Sequence, residues 1–183
     1  MIRKIVIGGV LLVGGFCGLA ALQPDDFHYE RSMAIGAPPE AIFPYINDVH
    51  LFQEWNPFAS GDPDCRISFT GPNAGLGAAA HWQGGRTGEG SMTVIESVPA
   101  QRVLYRMEFR KPLAATHTAA FVLEPRDGKT VVSWSLYGKN PFLGKAIGLL
   151  IDCDKMCGEQ FVKGLSRLKT LVEKPAAGFS AGS

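Results

Sequence analysis

Cysteine is scarce in this chain, four in 183 residues, at Cys17, Cys65, Cys153 and Cys157. Thiols so few and so unevenly placed do not make a disulfide framework. Cys153 and Cys157 stand one helical turn apart, but too few histidines or cysteines lie near them at ligand spacing to complete a zinc site. They read as small apolar fillers on a buried stripe. Excess charge is missing too. The chain has 18 Lys and Arg against 17 Asp and Glu, a net charge of +1. No basic stripe appears, so nucleic acid is not expected as a partner. The motifs G-x-S-x-G and H-E-x-x-H and a phosphate loop are all absent. The glycines around Gly84-Gly85 and Gly88-Glu-Gly lie between strands, where they serve tight turns. Nothing calls for a metal or a cofactor. There are no internal repeats, and only the short tail Pro175–Ser183 reads as disordered.

One long hydrophobic run is present. Arg3 and Lys4 precede Ile5–Leu22 (IVIGGVLLVGGFCGLAAL), 18 residues without a charge. That is the short end of a membrane span. A cleaved signal peptide competes with this reading, because a positive start and the small residues Ala20 and Ala21 suit one as well. No clear A-x-A site follows, the run is long for a signal core, and Phe16 before Cys17 argues against lipoprotein cleavage. The reading is an uncleaved single-pass anchor. Positive residues before it and Asp25 and Asp26 after it place the N-terminus in the cytoplasm and the domain outside. The chain then divides into an anchor or signal (1–23), one domain (24–173) and a tail (174–183).

Glycine is abundant and helix formers are sparse between the two ends, which fits a β-rich middle. Phe27–Ile35 is a first strand. Gly36-Ala-Pro-Pro breaks it, and Pro38 and Pro39 open a short helix, Glu40–Ile46. A second, His50–Trp55, stops at Asn56-Pro57. Six strands follow: Arg66–Thr70, Ala78–Gln83, Gly88–Val98, Arg102–Arg110, Thr116–Glu124 and Thr130–Tyr137. The junctions Gly71-Pro-Asn, Gly84-Gly85 and Arg126-Asp-Gly-Lys read as hairpin-like turns, and the order implies an antiparallel sheet.

Pro141–Leu150, interrupted by Gly144 and Gly148, reads as a short separate helix. From Asp152 to Val172 the apolar residues Cys153, Cys157, Phe161, Gly164 or Leu165, Leu168 and Leu171 recur at three- and four-residue steps, one face of a helix about 30 Å long. Asp152 serves as N-cap, Asp154 suits the positive end of the dipole, and Lys169 and Lys174 suit the negative end. Such a helix is the only large cover for the sheet. Facing it, Val103, Tyr105, Met107 and Phe109 alternate with Arg106, Glu108 and Arg110. Val132, Trp134 and Leu136 alternate with Ser133 and Ser135. Trp82, Met92 and Phe121 join the inward set, with His81 outward. Large side chains on that face either fill a core or line a cavity, and periodicity does not separate the two.

The order of elements, with ERSMAIGAPPEAIFPYIND, Trp55-Asn56-Pro57, Gly88-Glu-Gly-Ser-Met-Thr, Phe121-Val-Leu-Glu-Pro and Asp152-Cys-Asp-Lys-Met, resembles the START/polyketide-cyclase-like (SRPBCC) superfamily. The resemblance covers Tyr29 to Val172. It implies an α+β helix-grip fold, in which a curved antiparallel sheet of about seven strands wraps a long C-terminal helix. It also implies a deep apolar cavity and, through membrane-anchored members named for the cyclases, a bacterial inner membrane. It implies no single activity. Such a cavity would be lined by Trp82, Met92, Tyr105, Met107, Phe109, His117, Phe121, Trp134 and Leu136 from the sheet. Cys157 and Phe161 would join from the helix, with Trp55 near the entrance.

The expected function is membrane-anchored binding of a hydrophobic small molecule or lipid, with Tyr105 and His117 as orienting polar groups. The alternative is a polyketide-cyclase or dehydratase-type enzyme, with His117, Tyr105 or Glu108 in acid–base roles, although Glu108 has outward parity. A second alternative is an envelope protein-interaction domain. Glu89 and Glu96, seven residues apart on one strand, have opposite parity and are not a carboxylate pair. Asp152 and Asp154 are explained by capping and the dipole.

Overall fold

The computed structural model of the chain describes residues 2–58 and 62–174, the side chains of residues 2–6 and 10 excepted. Its elements are α1 (Ile2–Ala21), β1 (Asp26–Ile35), α2 (Pro39–Asn47), α3 (Val49–Trp55), β2 (Arg66–Thr70), β3 (Ala79–Gly84), β4 (Gly88–Val98), β5 (Arg102–Lys111), β6 (Ala115–Arg126), β7 (Lys129–Lys139), α4 (Phe142–Gly148) and α5 (Cys153–Glu173). The strands form one sheet in the order β1-β7-β6-β5-β4-β3-β2, with every neighbouring pair antiparallel. α2 and α3 connect its two edges, and α5 lies across its inner face. This is the helix-grip arrangement expected from the order of elements.

Local chemistry explains most boundaries. Pro39 opens α2, where a missing N–H costs nothing. The Asp48 carboxylate accepts from His50 N at 2.7 Å and starts α3. The Asp152 side chain accepts from Lys155 N at 2.9 Å and starts α5. At the β6–β7 hairpin, Asp127 and Gly128 both take positive φ, the requirement of a two-residue turn.

Three expectations need correction. Gly71-Pro-Asn joins the antiparallel pair β2 and β3 as expected, but not by a tight turn. Residues 71–78 form a longer connection whose backbone is satisfied by the α2–α3 corner, with Val49 N donating to Asn73 O (3.0 Å) and Gly75 N to Asn47 O (3.2 Å). Glu89 and Glu96 do not face opposite ways. A register shift between Val94 and Glu96 inserts one residue, so both lie on the outer face, each bound to its own cation, Lys111 and Arg102. Lys169 does not serve the α5 dipole; its Nζ donates to Ala34 O of β1 at 2.8 Å.

The core packs Ile42 and Ile46 of α2 and Phe52 and Trp55 of α3 against the concave sheet, with Phe161, Leu165 and Leu168 of α5 completing it. α1 is a helix of 20 residues. Among the described residues, no helix is long and apolar enough to cross a membrane. Pro175–Ser183 lies outside the described residues.

Candidate ligand cavity

The inward rows of the sheet do not close completely on the helices. Large residues alternate with small ones at inward positions: Ala80 between Met92 and Phe69, and Ala119 between Tyr105 and Leu136. The missing side-chain volume leaves a cavity of about 280 Å³ between the sheet, α3 and α5. Of the residues expected on its wall, Trp82, Met92, Tyr105, Met107, Phe109, Phe121, Trp134 and Leu136 line it from the sheet, and Cys157 and Phe161 line it from α5.

The aromatic framework is rigid. Trp134 stacks on Phe161 with centroids 4.5 Å apart and planes 16° apart, and it meets Phe121 at 5.0 Å. The Trp82 ring lies over Gly90 and meets Phe109 edge-on at 5.6 Å. Gly90 is what permits this. A Cβ there would stand 2.6 Å from the carbonyl oxygen of Glu108 and closer still to the Trp82 ring.

Two expected residues are placed elsewhere. Trp55 does not border the cavity. It is fully buried, its Nε1 donates to Tyr45 O at 2.8 Å, and Phe52, on the same short helix, reaches the wall instead. His117 has the expected inward parity, opposite Met107, but sits farther along the strand, against the rings of Phe27 (4.8 Å) and Phe109 (5.7 Å). It is not among the lining residues. Its Nδ1 is buried without a hydrogen-bond partner among the described residues.

Burial holds the His117 pKa below the ordinary histidine value of 6.5, opposed by a backbone hydrogen bond at Thr116. The folded state therefore resists protonating this ring while the unfolded chain accepts the proton. The stability this contributes is present above about pH 6.5 and declines as pH falls from there through the lower folded value. A His117→Phe variant is expected to lose that decline. Urea midpoints across pH 5–8 check this, and an unchanged slope would contradict it.

Tyr105 lines the wall with its ring only. Its hydroxyl donates to the carbonyl oxygen of Ile46, and burial pushes the phenol far above its usual range. With its proton committed there, the hydroxyl pins the end of α2 to the sheet. Glu108 faces outward beside Ser91, at 3.4 Å. His81, expected to point outward, shares its sheet face with Ser68 and Ser91, and its Nε2 is 2.9 Å from Thr70 Oγ1, although the residue is also part of the cavity border.

The Asn56 amide and the Thr87 hydroxyl at the cavity are already engaged. Asn56 Nδ2 donates to Gln53 Oε1 at 2.9 Å, and Asn56 Oδ1 accepts from Phe58 N at 3.0 Å. Thr87 Oγ1 donates to Asp62 Oδ2 at 3.1 Å. That carboxylate also accepts from Arg86 N (2.8 Å) and Thr87 N (3.0 Å), which fixes the β3–β4 turn and lowers the Asp62 pKa, the Thr87 backbone bond contributing most. Burial, then Cys153 and Asp154, pushes the Cys157 thiol up to about 11, so it is a neutral, polarisable wall. No Asp, Glu, Lys or Arg is among the described lining residues.

Sequence reasoning missed Phe52, Ile67, Ala80 and Ala119. The signal was available for the last two, since small residues set among bulky inward ones mark space left open.

A seven-stranded antiparallel sheet gripping one long helix over an apolar cavity defines a helix-grip protein. The chain belongs to the polyketide cyclase / dehydrase and lipid transport family, whose model matches residues 26–173. No curated protein matches it. Solved structures share the fold. Protein CV1439 from Chromobacterium violaceum is 19% identical with a TM-score of 0.59, covering 84% of this chain and 100% of that one. A Thermobifida fusca protein is 20% identical with a TM-score of 0.59, covering 79% and 92%. The Aha1 dimer from Colwellia psychrerythraea is 16% identical with a TM-score of 0.56, covering 81% and 97%.

Proposed function

We propose that the domain holds one compact, uncharged hydrophobic molecule between its sheet and α5, and that the N-terminal helix anchors it to a membrane. The observation that carries this reading is the composition of the wall. Aromatic rings, methionines and thiols surround about 280 Å³, and among the described lining residues no Asp, Glu, Lys or Arg replaces the water that an ion would lose. The volume lies at the lower end of ligand pockets, roughly 300–1,000 Å³, which suits a ring system or a short chain better than a two-chain phospholipid. The family description covers cyclases and dehydrases as well as lipid transport. Carrying is favoured over turnover because Tyr105 has committed its hydroxyl, Glu108 faces outward and His117 stands off the wall.

The anchor is supported by the charge-free run Ile5–Leu22, whose 18 residues are the short end of a membrane span. Arg3 and Lys4 before it, with Asp25 and Asp26 after it, favour a cytoplasmic N-terminus and an extracytoplasmic domain. The test of the cavity uses two probes with one ring skeleton. N-phenyl-1-naphthylamine, neutral, is expected to bind at least about tenfold more tightly than its anionic relative 1-anilinonaphthalene-8-sulfonate, because burying the sulfonate without a partner is costly. Fluorescence titration reads both constants. Equal affinities, or no binding of the neutral probe, would refute the proposal.

A further inference from the structure

We infer that α4 and the turn behind it form a second membrane contact, laid against the bilayer surface beside α1. This rests on the proposed anchor and goes beyond it, because it makes part of the folded domain a lipid-facing surface. α1 and α4 pack against each other. Exposed large apolar side chains lie on both of these elements and on the turn that follows α4. Leu19 and Leu22 end the α1 side; Phe142 and Leu143 open α4, and Leu150 and Ile151 form the turn into α5. Leu150 is 76% exposed and Leu22 is 82% exposed. Such side chains on two packed elements, exposed to water, mark a surface that is covered by something.

The occupant follows from continuity. The apolar surface of α4 runs onto the uncharged segment of α1, so whatever medium receives α1 also reaches the side chains packed beside its end.

The charges at the junction are consistent with this. Asp25 and Asp26 are the first acidic residues after α1. Asp25 pairs with Lys145 of α4, whose side chain is 10% exposed, and Asp26 pairs with Lys139 at 2.8 Å. Asn140 N donates to Asp25 O at 2.7 Å, which ties the start of α4 to the end of the α1 connection. With both carboxylates matched, apolar contact is the dominant attraction. The surface is therefore suited to zwitterionic lipid.

The test places the full chain in phosphatidylcholine vesicles containing a phosphatidylcholine with a diazirine deep in one acyl chain. After irradiation, adducts are mapped by peptide mass spectrometry. A two-chain lipid is too large for the interior cavity, so labelling reports the outer surface. Adducts are expected on α1 and on residues 142–151, each at least about tenfold above those on β2 and β3. Leu150→Asp with Ile151→Asp should reduce labelling of 142–151 by about tenfold and leave α1 unchanged. Labelling of α1 with 142–151 at background would overturn this inference and leave the anchor standing. Background labelling of both would overturn the anchor and this inference together, with the cavity reading untouched.

Discussion

Replacing Trp55 by alanine is expected to destabilise the domain by about 3–5 kcal/mol, the range for emptying a buried Trp or Phe site, while leaving the cavity's affinity for N-phenyl-1-naphthylamine within about twofold. The indole is fully buried, meets Phe52 at 4.6 Å, Trp134 at 5.5 Å and Phe121 at 5.8 Å, and donates its N–H to Tyr45 O. Removing it leaves both a void and an unsatisfied carbonyl. In a domain of this size each kcal/mol shifts the melting temperature by about 2–4 °C, so the drop should be large. Urea unfolding gives the stability, and probe titration of the folded variant gives the affinity. A loss below about 1 kcal/mol would contradict the core role, and a tenfold weaker probe would mean that Trp55 belongs to the binding wall after all.

Gly90→Ala is expected to act on the cavity instead. The added methyl meets the Glu108 carbonyl oxygen, a backbone atom that cannot swing away, and on its other side the Trp82 ring. The ring is the group able to yield, and the space beside it is the cavity. Overpacking of this kind costs about 1–3 kcal/mol. Displacing Trp82 into a volume of about 280 Å³ should weaken the neutral probe at least tenfold. Unchanged affinity in a folded Gly90→Ala variant would show that Trp82 does not shape the site.

These two residues also show what could be read from the sequence and what could not. The inward faces of β5 and β7 were legible because strict alternation fixes which side a residue faces. The α5 stripe was legible from its three- and four-residue steps. Parity gives the face of a strand but not the depth along it, and His117 faces inward yet stands off the wall for that reason. In a helix as short as α3, Leu51, Phe52 and Trp55 are all apolar, so the pattern did not show which ring points at the cavity and which into the core. The register shift before Glu96 left no mark in the residue types, and it reversed the facing of that carboxylate. The connection 71–78 carries Gly and Pro like a tight turn, but its hydrogen bonds go to the α2–α3 corner, a long-range partner that local composition does not encode. The resemblance to a superfamily with cavities tipped the choice between core and pocket. Ala80 and Ala119, inward and small, would have supported that choice from the residues themselves.

The central claim is an uncharged hydrophobic guest between the sheet and α5. Its most direct test is native mass spectrometry of the full chain purified in lipid nanodiscs from a membrane-containing host, followed by denaturing solvent extraction. The account predicts a single added mass in the Trp55→Ala protein as in the wild type, lost or reduced in Gly90→Ala, and recovered as a neutral compound in the organic phase. A bound mass that extracts as an anion, or a wild-type protein that stays at its bare mass and also ignores the neutral probe, would contradict it.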